Sequence, residues 1–177
     1  MNGEKSMKPI AVLIYQGEGA SELQALWQAV KCWQQQGLKV AGLLNLLDEA
    51  GNKLRDRVQS LTDSRVYTIM YEEGCTINGC LLDPHGLAAS SEVIREALQT
   101  PLDILVFNKF GHAESENSGL IDEYAQAIGQ GIAVVSLLQD KYLPGWRVFT
   151  DGMGEELFDL KDLLAWGECQ VRRNKAD

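Results

Sequence analysis

Apolar and polar positions along this chain fall into two kinds of run. Short apolar stretches occur at Pro9–Tyr15 (Ile10, Val12, Leu13, Ile14), at Leu38–Leu47 (Val40, Leu43, Leu44), from Ile104 to Phe107, and at Ile132–Leu138. Runs this short and this uniformly apolar predict strands buried on both faces of a parallel sheet. Between them lie longer segments with helical spacing: Leu23, Leu26, Trp27 and Val30; Leu87, Ile94, Ala97 and Leu98; Leu120, Ile121, Tyr124 and Ile128. The punctuation fits. Gln16–Ala20 reads as a turn with Ser21 as a helix N-cap, Gly37 ends that helix, and Gly129 and Gly131 end the last of the three. Asp83-Pro84 is a helix start, a capping acid followed by proline at the first helical position.

Two regions depart from this rhythm. After the turn-rich residues 48–52, Arg55–Leu61 and Arg65–Tyr71 are short, more polar strand candidates on either side of Thr62-Asp63-Ser64. They predict a β-hairpin at the sheet edge or extending outward. Trp146 and Phe149 sit in a short helical segment, and the tail from Glu155 (Leu157, Phe158, Leu160, Leu163, Leu164, Trp166) reads as a helix or docking arm. The order of elements predicts an α/β fold: a mainly parallel, three-layer sheet with right-handed crossovers placing helices on both faces, plus the inserted hairpin. Neither repeat nor linker interrupts it. We expect one domain over residues 9–170, with flexible termini at 1–8 and 171–177.

Composition narrows the partners. A chain of 177 residues with 45% hydrophobic residues can bury a sizeable core. The formal net charge of −9 argues against nucleic acid, whose phosphates need clustered Lys and Arg. No stretch approaches the ~20 apolar residues of a membrane span. Met1–Lys8 is polar, without a signal-peptide apolar region, so a cytoplasmic chain with reduced cysteines is expected. Cys75 and Cys80 form one close pair, but Cys32 falls within a helical pattern and Cys169 in the tail. Zinc sites show two close pairs, so no metal site is expected and the thiols read as ordinary.

Chemistry should lie where polar side chains meet the C-terminal ends of the strands, the crevice in which open α/β sheets bind ligands. The sequence from Asn108 to Glu114 is such a place. Asn108 could orient a ligand, Lys109 supply charge, His112 shuttle a proton, and Glu114 position water or a hydroxyl. The first turn is the second candidate. Gly17 and Gly19 would let backbone N–H groups approach an anion, with Ser21 and the helix N-terminus beside them. The phosphate-loop pattern G-x-x-x-x-G-K-[ST] is absent, no lysine lies between Lys8 and Lys31, and Glu18 and Glu22 add negative charge. A third stretch, Cys75 to Gly86, could hold a reactive cysteine, but reads better as a buried Cys80 beside the Asp83 cap.

Several segments together resemble a bacterial family of uncharacterised proteins whose genes often lie beside molybdenum-transport genes. They are Gly79-Cys80-Leu81-Leu82-Asp83-Pro84 with Gly86-Leu87; Asp103 through Gly111 with Glu114 and Gly119-Leu120; Gly131-Ile132-Ala133-Val134-Val135; and Trp146-Arg147-Val148-Phe149. The resemblance spans about Ile10 to Leu157 and implies fold and context rather than a reaction. A more distant likeness is to the small P-loop nucleoside-triphosphatases, which carry Asp-Glu-Ile-Gly-x-x-Glu where this chain has Asn108-Lys109-Phe110-Gly111 and Glu114. They share the hairpin after the second strand. This chain lacks their phosphate-loop lysine and has Asn108 for their metal-binding aspartate. Even one lost transition-state donor costs ~3 kcal/mol.

The expectation is therefore a degenerate P-loop-like domain that binds a small anion such as molybdate, or a nucleotide, without hydrolysing it. Gly17, Gly19, Ser21, Asn108, Lys109 and His112 would hold the ligand. The alternatives are a nucleoside-triphosphatase with a rearranged site, using Glu114, and a structural protein that dimerises through the tail with Trp166. No cofactor is identified by the sequence.

Overall fold

Alternation along the central strands sets the architecture. In the computed structural model, which describes residues 7–70 and 83–176, β1 (Ile10–Tyr15), β2 (Val40–Leu47), β5 (Ile104–Phe107), β6 (Ala133–Gln139) and β7 (Glu155–Leu157) run parallel in one sheet. β3 (Lys53–Ser60) and β4 (Val66–Thr68) pair antiparallel beside β2, giving the order β4-β3-β2-β5-β6-β1-β7. In β5, Leu105 and Phe107 enter one core layer, and Ile104 and Val106 the other. In β6, Val134 and Leu138 face the first layer and Ala133, Val135 and Leu137 the second.

Helices cover both faces. α1 (Ala20–Gln35) and α6 (Leu160–Ala176) close one side; α2 (Pro84–Ala97), α4 (Ile121–Gly129) and α5 (Leu143–Phe149) close the other. A short helix, α3 (His112–Ser115), follows β5. The stripe Leu23, Leu26, Val30 and Trp33 buries the inner face of α1, and Leu38 N–H reaches back to the Trp33 carbonyl at 3.1 Å to close its end. Asp83 caps α2 as the sequence predicts, its carboxylate accepting from His85 N–H at 2.9 Å. The hairpin also forms, with Val58 opposite Tyr67. Its first strand begins at Lys53 rather than Arg55. Tyr71, Cys75 and Cys80 lie outside the described residues.

Three expectations are corrected. Ser21 is not the cap of α1: Gly19 takes that position at φ 74°, and no side chain caps the helix. That left-handed conformation favours glycine, and a Cβ there would lie 2.5 Å from the Tyr15 ring. The tail does not begin as a helix; Glu155–Leu157 forms edge strand β7. Three residues, two of them acidic, leave no apolar pattern to read, and short charged edges suit a sheet boundary. At the other end, α6 continues to Ala176. Finally, the Trp166 side chain is not exposed on the tail. It is fully buried against Trp33, ring centroids 5.9 Å apart and edge to face, and its indole N–H donates to the Lys8 carbonyl at 2.8 Å. Gly167 lets α6 approach α1, because a Cβ there would fall 2.3 Å from the Trp33 indole nitrogen. No described helix is long and apolar enough to cross a membrane.

Removing the Trp166 side chain opens a cavity between α1 and α6 and strips the N-terminal segment of an anchor. Trp166→Ala should lower the unfolding free energy by about 3–5 kcal/mol in urea titration. A loss below 1 kcal/mol would show that this layer does not hold the fold.

Candidate functional site

The turns after the parallel strands wall a crevice of about 530 Å³. Tyr15, Gly17 and Glu18 come from β1 and its turn, and Asn45 from β2. Lys53 and Arg55 come from β3, Asn108 to His112 from the loop after β5, and Gln139, Lys141 and Tyr142 from the end of β6. This is the C-terminal edge of the sheet, where the sequence places the ligand.

A bulge aims the hairpin into it. The β2–β3 register shifts between Asn45 and Leu46, and a bulge bends its strand. Buried Asn45 holds the irregularity by donating through Nδ2 to the carbonyls of Leu54 and Arg57 at 3.0 and 3.1 Å. Its own N–H donates to Asn108 Oδ1 at 2.8 Å. Asn108 therefore fastens β5 to β2 with its oxygen, leaving its amide NH2 as its donor toward a ligand. Lys53 and Arg55, two residues apart, share the strand face that reaches the crevice.

The loop after β5 is braced from beneath. Glu114 is buried, and its carboxylate accepts from the N–H groups of Gly111 at 3.0 Å and Leu120 at 3.3 Å. Tyr124 donates its hydroxyl to the Lys109 carbonyl at 3.0 Å. Burial, then the Glu114 charge, pushes the Tyr124 phenol well above its ordinary value, so it stays a donor.

The wall carries four basic side chains, Lys53, Arg55, Lys109 and Lys141, against the one carboxylate of Glu18, an excess of three positive charges. The whole chain is at −9. Arg55 is engaged: its Nε donates to Glu18 Oε2 at 3.1 Å and its Nη2 to Glu18 Oε1, tying the first turn to the hairpin. Lys141 lies over the Tyr142 ring at 5.0 Å. Lys53 sits over the Tyr15 ring at 5.6 Å, and neither it nor Lys109 has a carboxylate partner among the described residues. Burial, then repulsion from Lys109 and Arg55, holds the Lys53 ammonium below the ordinary lysine range, with Glu18 opposing. Burial and then Glu18 push the Tyr15 phenol up, so its hydroxyl is neutral.

Of the residues expected from sequence, Gly17, Asn108, Lys109 and His112 meet in this wall. Gly19 is buried beneath the Tyr15 ring, and Ser21 is exposed on α1 outside it. Glu114 lies under the loop rather than in the wall, because both carboxylate oxygens serve backbone donors. Lys53, Arg55 and Lys141 were not anticipated. The period-two basic pattern Lys53, Arg55, Arg57 was the available signal for the first two.

The model of the family described as Protein of unknown function (DUF2478) matches residues 10–166, from β1 into α6. The chain belongs to that family. The matched span includes every wall element of the crevice. A curated relative, the "Molybdenum import ATP-binding protein ModC 2" of Bradyrhizobium diazoefficiens, is 32% identical over 142 residues, 78% of this chain but only 16% of that protein. Two solved structures share the fold. The "Human Cancer-Related Nucleoside Triphosphatase" in solution matches with a TM-score of 0.59 and 13% identity, covering 94% of this chain and 96% of that one. THEP1 from the hyperthermophile Aquifex aeolicus matches with a TM-score of 0.54 and 14% identity, over 85% and 88% of the two chains. The DUF2478 chain is thus an α/β protein, as its sequence pattern predicts, with the fold of small P-loop nucleoside triphosphatases, as its resemblance to them implies.

The position of Lys53 has a pH signature. Its folded pKa is depressed, so between that value and the ordinary ~10.4 the unfolded chain binds more protons and stability rises with pH. In Lys53→Met this contribution is gone. Urea titrations at low salt should therefore show wild type gaining stability relative to Lys53→Met as pH rises from 7.5 to about 10. A constant difference across that window would place Lys53 in ordinary solvent.

Proposed function

We propose that this DUF2478 protein is a binding or regulatory module for a small, multiply charged anion, an oxyanion such as molybdate or a nucleotide, and that it does not hydrolyse its ligand. One observation carries the reading: basic residues from three separate elements converge on the crevice at the strand ends in an otherwise acidic chain. A low-dielectric cleft lined by one sign of charge concentrates ions of the other. The volume of about 530 Å³ suits a small-molecule ligand.

The donor set argues against a divalent cation in hydrolysis. Magnesium at phosphate sites is held through one or two carboxylates and substrate oxygens. The wall offers the amides of Asn45 and Asn108 and one carboxylate, Glu18, engaged by Arg55. The residues therefore do not fit the ion on which phosphoryl transfer in this fold relies. A molybdenum importer's ATP-binding protein contains a related segment as 16% of its length. That supports a module that senses either the transported oxyanion or the nucleotide.

A thermal-shift panel of molybdate, tungstate, phosphate and ATP, each with and without Mg²⁺, tests this together with a phosphate-release assay. At 100-fold excess over Kd, a bound ligand should raise Tm by about 5–10 °C, with no phosphate released. Turnover that disappears in Glu114→Gln would replace this reading with a hydrolase. No shift with any anion, together with a concentration-dependent mass in light scattering, would replace it with a structural role.

A further inference from the structure

We infer that the anionic group of the ligand is seated between Lys53 and Lys109, on the hairpin side of the crevice, and not on the N-terminus of α1. The inference rests on the binding reading above and assigns the seat within it. The chemistry it selects is a doubly charged tetrahedral oxyanion, either free or as the phosphoryl group of a larger molecule.

Three observations point to this side. Lys53 and Lys109 come from different elements, β3 and the loop after β5, yet lie close enough to repel each other. Neither has a carboxylate partner among the described residues. Glu18 offsets this repulsion only in part, and an anion between the two ammonium groups reverses its sign. The surroundings supply the remaining donors. Asn108 has its oxygen fixed by Asn45 N–H, so its amide NH2 is left to donate. The loop that carries Lys109 is locked beneath by Glu114 and Tyr124, so little ordering is required on binding.

The N-terminus of α1 is built against an anion. Gly19 is covered by the Tyr15 ring, Ser21 is exposed outside the wall, and Glu22 puts a negative charge in the first helical turn. Glu18, the residue before the cap, is turned to Arg55. The cation missing from the first turn is thus supplied from the opposite wall, by a strand that the bulge at Asn45 bends into place.

The test is calorimetric titration of wild type, Lys53→Met, Lys109→Met, Lys53→Arg and Ser21→Asp with phosphate, molybdate and adenosine 5′-monophosphate at low salt. Circular dichroism of each variant establishes that it is folded. Each lysine-to-methionine change should weaken binding by about 10-fold or more, the scale of one charge-assisted hydrogen bond. Lys53→Arg should retain most of the affinity, and Ser21→Asp should change it by less than about 3-fold, as expected for a screened charge outside the seat. Phosphate and the monophosphate losing affinity in parallel identify the seat as the phosphoryl site. Molybdate alone losing it identifies a free-oxyanion site. Binding that survives both methionine variants, or falls in Ser21→Asp instead, overturns the seat while leaving the binding reading intact. Wild type that binds none of the three probes overturns the binding reading itself.

Discussion

Burial of β1, β5 and β6 on both faces is the constraint from which the site follows. Strands covered on two sides leave nowhere within their length for a charge, because burying an unpaired polar group costs about 1–3 kcal/mol in proteins. Ser136 is the one buried polar side chain inside these three strands. Every other polar group is displaced to the ends, where backbone and side chains meet water. At the C-terminal edge that displacement gathers Asn108, Lys109, Gln139 and Lys141 from neighbouring elements. The crevice is thus the complement of the core.

What distinguishes this crevice is the direction from which its charge arrives. Packing prefers opposite charges as neighbours, yet Lys53 and Lys109 share one wall and repel, with Arg55 adding to the repulsion and Glu18 opposing it. Departures from local consistency of this kind concentrate at functional sites. The hydrogen bonds that maintain the arrangement are directed inward, from Asn45 to Asn108 and to the β3 carbonyls. The exposed ion pair between Glu18 and Arg55 adds little stability on its own. Its consequence is geometric: it joins the first turn to the hairpin across the mouth of the crevice.

The sequence carries the fold more clearly than the site, for a physical reason. Two-sided burial writes itself as unbroken apolar runs, so β1, β2, β5 and β6 are legible from composition alone, as is the Asp83-Pro84 start of α2. β7 is not, because a three-residue acidic edge strand owes its existence to pairing with Ala11, Val12 and Leu13. The site divides in the same way. Asn108, Lys109 and His112 follow the apolar run that positions them. Lys53 and Arg55 lie on β3 beside a register shift, where pairing passes from Asn45–Val58 to Leu46–Leu54, and their basic alternation does not say which way that irregular strand faces. Glu114 is the reverse case: its type and position are legible, but not that its carboxylate accepts from the N–H groups of Gly111 and Leu120.

Those bonds bear on the chemistry the crevice can perform. Hydrolysis in this fold needs the cation that grips a phosphoryl group and the residue that aims the water to act on the same atoms. On the reading proposed above those roles would fall to Lys109 and Glu114, which lie on opposite sides of one loop, Lys109 in the wall and Glu114 beneath it. To reach the crevice, Glu114 would have to release the N–H groups of Gly111 and Leu120, and each buried donor left unpaired costs about 1–3 kcal/mol. It would also have to leave the space beside Gly119, where one carboxylate oxygen comes within 2.8 Å of the position a Cβ would take. Glycine at that position, φ 61°, lets the chain turn tightly enough for Leu120 N–H to meet the carboxylate. The loop is therefore shaped around an inward-facing Glu114, which braces from beneath the segment that carries Lys109 into the wall.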